Sequence, residues 1–179
     1  MQFNINEARK ALNEGRPTDA LSYLEGMIEA HLEKKDIASA KLLLSEADEI
    51  IRTNHEPDIF HYVLSIGAHH YAVGQTGEAK ELFDRVMQEA ADKKDDHIWS
   101  AAAATFIRLN EFTEAIRSAN RIEDKRLKFS VFIDLADLLA KLGSIAEARF
   151  ILLNYCVKVA RSHADNNPWE KESKIAQLL

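Results

Sequence analysis

One recurring offset constrains this chain more than any other feature. Gly74 is followed at fixed spacing by Ala79, Phe83 and Val86. The same spacing picks out Asn110 with Ala115, Ala119 and Ile122, Gly143 with Ala148, Leu152 and Tyr155, and Lys35 with Ala40, Leu44 and Ala47. Upstream in each unit stands a large apolar residue with a small one four positions later: Val63 and Gly67, Trp99 and Ala103, Phe132 and Ala136. In the first unit Leu24 and Ile28 hold those places. Small side chains at two facing positions let paired helices approach closely, because an interaxial distance of about 8–10 Å depends on what stands at the contact. Gly67, Ala103 and Ala136 are therefore expected at close contacts, and Ala90 on a solvated helix back.

The best-formed unit runs from Ile59 to Val86. Phe60, Val63, Ile66, Gly67 and His70 share one helical face. Gly74 to Gly77 breaks the helix, and Ala79, Leu82, Phe83 and Val86 turn inward while Glu78, Lys80, Glu81, Asp84 and Arg85 turn outward. No Asp, Glu, Lys or Arg lies between Asp58 and Glu78. A membrane span would need about 20 continuous apolar residues, and three histidines, three glycines and the break exclude it.

Elsewhere helical periodicity covers 3–13, 18–34, 37–52, 96–109, 112–122, 127–142 and 145–161, with a last helix from Pro168. Pro17, Pro57 and Pro168 stand where helices begin, the place at which a missing N–H costs least. Ser144 with Glu147, and Asn167 with Glu170, have capping-box spacing. Short separators predict that consecutive helices lie antiparallel and adjacent. No strand is expected, so the fold class is all-α, in one domain over 1–179.

The formal charge of −6 argues against a nucleic-acid partner, whose phosphates would need a basic face. The segment MQFNINEARK lacks the charged-then-apolar run of a signal peptide, and a single cysteine forms no internal disulfide. A reducing, cytoplasmic setting is expected.

These units resemble the tetratricopeptide repeat, a helix-turn-helix unit of about 34 residues. The resemblance covers four units over 21–162, with an extra N-terminal helix in 1–16 and a capping helix in 166–179. Gly15 and Ala20 also have the turn-to-alanine offset, so the helix from Thr18 competes as the second helix of a unit; parity counted back from the best units favours the first. A non-repeating bundle whose alanines imitate the offsets is the alternative. The resemblance implies a right-handed α-solenoid, stacked because no unit buries its apolar faces alone. It further implies a non-catalytic protein- or peptide-binding scaffold.

In that family the concave face is lined by each unit's first helix. The resemblance carries this partner-binding groove to Glu25, Glu29 and Glu33, to His61, Leu64 and Tyr71, to His97, Ile107 and Arg108, and to Ile133, Asp137 and Lys141. A peptide with a basic part near the glutamates, an apolar anchor against Leu64, Tyr71 and Ile107, and an acidic part near Arg108 and Lys141 is the expected ligand. The plainer alternative makes the glutamates a solvated face. Chaperone-binding members place Lys and Asn where this chain has Glu25 and Glu29, so that mode is not expected.

No phosphate loop, nucleophile elbow or zinc-type Cys/His spacing occurs. Cys156 lies in an apolar run and reads as a buried, inert thiol. His69 and His70 point to different faces and make no site alone; His61 and His97 hold equivalent places, but two ligands make a poor metal site. No catalytic residue, metal or cofactor is expected. The alternatives are a self-associating structural subunit and, less favoured, a metal-dependent enzyme using the groove histidines.

Overall fold

The computed structural model describes residues 5–54 and 59–158. Helices α1 (Ile5–Asn13), α2 (Pro17–Glu33), α3 (Ile37–Thr53), α4 (Phe60–Ala72), α5 (Thr76–Lys93), α6 (Asp96–Arg108), α7 (Phe112–Arg121), α8 (Lys125–Lys141) and α9 (Ile145–Ile151) follow in order, and a π-helical turn, Leu152–Cys156, continues α9. No strand occurs among the described residues. The all-α expectation holds. The capping helix expected in 166–179, and the capping box of Asn167 with Glu170, lie outside the described residues.

Among the described residues, six turns share one hydrogen-bond pattern. Residues 15, 35, 74, 94, 110 and 143 each have a positive φ, between 52° and 82°. In each, the amide of that residue donates to the carbonyl three positions back, and the next amide donates to the carbonyl five positions before itself. Gly74 N–H bonds to Tyr71 O and Gln75 N–H to His70 O; Asn110 N–H bonds to Ile107 O and Glu111 N–H to Phe106 O. This is the Schellman closure, which satisfies carbonyls that a helix end leaves open. The residues aligned from sequence (Lys35, Gly74, Asn110 and Gly143) all occupy its left-handed position.

The alanine five residues on is buried at 40, 79, 115 and 148. The next predicted inward positions, 44, 83, 119 and 152, are buried as well. The fourth unit then departs from the offsets. Cys156 is fully buried where Tyr155 was expected inward, because the wider π turn delays the buried stripe by one residue. Tyr155 instead stacks on Phe132, ring centroids 4.4 Å apart.

Aspartates do most of the N-terminal capping. Asp36 accepts from the Ser39 amide, Asp95 from His97 and Ile98, and Asp124 from Arg126 and Leu127. Ser144 precedes α9 but its hydroxyl makes no capping bond, so the expected box with Glu147 does not form. With Asp124 as cap, α8 starts at Lys125, two residues before the expected start.

The chain divides into two compact units, Met1–Glu89 and Ala90–Leu179. In the first, α2 packs against α1, α3 and α4, and α3 also touches α4. Two neighbours cover α4, which buries Val63, Leu64, Ile66, Gly67 and His70. Arg85, expected outward, reaches back to the end of α3, where its guanidinium donates to Ile51 O (2.7 Å) and Asn54 O (3.0 Å). In the second unit α6 packs on α7 and α8, and α8 on α9 and the π turn. Asp96 ties down the α7–α8 connector by accepting from the amides of Glu123 (2.8 Å) and Asp124 (2.6 Å). Ala90, expected on a solvated back, is fully buried.

Candidate functional site

Three glutamates of α2 repeat at four-residue spacing, Glu25, Glu29 and Glu33, which places them along one face. Beside this face lies α4. Ser65 donates its hydroxyl to Glu25 Oε1, and His69 Nε2 lies 4.0 Å from Glu29 Oε1. Both contacts span forty residues, as two helices running in the same direction and in register give. The structure thus joins two predicted residues to two that sequence reasoning left out. Ligand atoms of Glu25, Glu29 and His69 all lie within 4.8 Å of one another.

The other predicted residues of this unit fall differently. Glu33 and His61 are exposed, Tyr71 is half-buried, and the His61 ring leans on Phe60 at a centroid distance of 3.8 Å. Leu64 is 3% exposed. Its expected role as an open apolar anchor is corrected: with α2 and α3 both packed on α4, the buried stripe widens to take in residue 64.

In the second unit His97 and Arg108 are exposed, and Arg108 Nη2 donates to Thr105 Oγ1 at 3.3 Å. Ile107 is 7% exposed, which corrects the second apolar anchor; α6 buries residues 105, 106 and 107 in succession between α7 and α8. Ile133 and Asp137 line a small cleft of about 120 Å³ with Ala136, Ala140, Ile145 and Leu152. Lys141 Nζ pairs with Asp137 Oδ2 at 2.5 Å, so part of the expected positive charge is neutralised on its own helix.

Two further groups bear on chemistry. His70 is 1% exposed, with Nε2 3.0 Å from Asp48 Oδ1, an arrangement that lets a polar ring sit in the core. Cys156 is buried, and that burial pushes its thiol up to about 12. A thiol held so far from its thiolate is no nucleophile at neutral pH. No helix among the described residues is long and apolar enough to cross a membrane.

Comparison of the chain with protein-family models, curated proteins and solved structures finds no match.

Proposed function

We propose that this chain is a non-catalytic, tetratricopeptide-like helical-repeat module, right-handed and built of antiparallel pairs, that binds a peptide segment carrying basic residues. The observation that carries this reading is the in-register contact of α2 and α4, which sets two carboxylates of one helix, Glu25 partly buried and Glu29 exposed, beside polar groups of the next. The close approach of Gly67 to Phe83 supports the repeat geometry. Burial of Leu64 and Ile107 leaves half-buried Tyr71 as the remaining one of the three expected apolar anchors, so recognition is assigned mainly to charge. The inert thiol supports a binding role over an enzymatic one, and a lone buried cysteine fits a reducing, cytoplasmic setting.

The test is a display selection of random peptides on the full chain, followed by affinity measurement across salt. Selected peptides rich in Lys and Arg, weakened as salt rises and by Glu25→Lys with Glu29→Lys more than by Glu78→Lys with Glu81→Lys, support the reading. Equal losses, or selection of uncharged peptides, would exclude it.

Self-association is the second reading, favoured by Leu142, Ile145, Phe150 and Leu153, each at least half exposed in the last stretch of the described residues. Exposed apolar residues that gather into one patch mark an interaction surface. A mass by light scattering that rises with concentration in wild type, and stays constant in Phe150→Ser, would support it.

A further inference from the structure

The geometry points to a divalent transition-metal site, best fitted to zinc, formed by Glu25 and Glu29 of α2 with His69 of α4. Two carboxylates and an imidazole are a ligand set zinc accepts, and three protein ligands leave the fourth position to water or to a group from another molecule. Tetrahedral bonds of about 2.0–2.2 Å put ligand atoms roughly 3.4 Å apart. Here they lie within 4.8 Å of one another, with His69 Nε2 and Glu29 Oε1 at 4.0 Å. The remaining contraction is within reach of a rotamer change at Glu29, whose side chain is 59% exposed.

Three features separate this cluster from an ordinary acidic surface. The imidazole comes from a second helix, forty residues away, so the set is assembled by packing and not by the periodicity of one helix. His69 Nε2 is shielded from solvent, so it is held on the protein side of the cluster while Glu29 is exposed and free to close on it. Ser65 bonds to Glu25 Oε1 and orients that carboxylate as outer-shell partners orient metal ligands. The electrostatics point the same way: Glu25 and Glu29 stand one turn apart, where like charges repel, and a dication between them reverses that repulsion. A neutral imidazole and two carboxylates carry −2, which zinc cancels. The site needs no partner, but it shares Glu25 and Glu29 with the proposed peptide contact, so zinc and a basic peptide compete for the same carboxylates.

The experiment uses the full chain stripped with a chelator. Zinc is titrated by calorimetry, and cobalt(II) by its visible absorption, which also reports thiolate ligation in the near ultraviolet. One saturating equivalent without a thiolate band is expected. Glu29→Gln and His69→Gln should each weaken binding by on the order of tenfold or more, since even an outer-shell change costs that much. Glu33→Gln and His61→Gln, outside the cluster, should leave it unchanged. Glu29 is exposed, so Glu29→Gln remains decisive if His69→Gln fails to fold, which circular dichroism will show. Absence of saturable binding, a thiolate band, or one affinity shared by wild type and Glu29→Gln would overturn the assignment. Peptide selection on zinc-free protein tests the proposed function separately.

Discussion

Gly67 on α4 lies against the ring of Phe83 on α5, so closely that a methyl group at residue 67 would stand 2.7 Å from Phe83 Cε1. Both residues are buried, so the ring would have to shift within the core to make room. Gly67→Ala should therefore destabilise. Overpacking of this kind costs about 1–3 kcal/mol, and the better helix propensity of alanine returns less than roughly 1 kcal/mol. In a Phe83→Leu background the same methyl should cost much less, because residues in contact do not add. Melting curves of the four proteins check this, and a rise in Tm for Gly67→Ala alone would refute the close packing.

Ala103 and Ala104 are neighbours on α6 with opposite environments, the first fully buried and the second exposed. Ala103→Leu should lower stability by about 1–3 kcal/mol, and Ala104→Leu should stay within about 0.5 kcal/mol of wild type. Denaturant midpoints for the pair decide the helix phase; equal midpoints would mean that it is misassigned. Ala90→Leu now belongs with the costly changes, since that residue is buried.

Asp124 gives stability a pH dependence. Backbone bonds from Leu127 and Arg126 hold its carboxyl below the usual range. A lowered folded-state pKa contributes stability that is fully present above the unfolded value of about 3.9 and lost as pH falls through the folded value. Asp124→Ala should melt below wild type at pH 7, and the gap should close as the pH drops from about 4 downward. A gap independent of pH would rule out the carboxylate as its origin.

Cys156 should resist thiol reagents in the native protein. With the thiol buried and its pKa near 12, labelling at pH 8 should proceed only through opening of the α9 region and accelerate with denaturant. Immediate stoichiometric labelling would contradict that burial.

What sequence reading recovered and what it missed divide along the range of the forces involved. Helix periodicity and the left-handed turn residues are local properties, so α1 to α9 and the aligned residues 35, 74, 110 and 143 were legible. The offset did less than it promised, because burial five and nine residues on also follows the turns at 15 and 94. It reports entry into any helix after a Schellman turn, and so does not by itself tell a first helix from a second. Asp36, Asp95 and Asp124 carried a visible capping signal, an aspartate directly before the helix, that is distinct from capping-box spacing. The π turn carried none, as Leu152 to Cys156 read like any apolar helix. Arg85 reaching Ile51, and Glu29 meeting His69, are contacts across tens of residues. Leu64 and Ile107 failed as open groove residues because helices covered on several sides bury more than one stripe.

The shared turn has a further consequence for altering the protein. Three of its six left-handed positions carry a side chain: Lys35, Lys94 and Asn110, at φ 60°, 52° and 61°. A side chain in this conformation costs roughly 1–2 kcal/mol for most residue types, less for asparagine. Each of the three is exposed. Glycine at these positions should make the chain tougher without altering a buried contact or any of the glutamates and histidines to which binding is assigned. Thermal tolerance and ligand recognition are therefore written at separate positions, and one can be raised while the other is held constant for measurement.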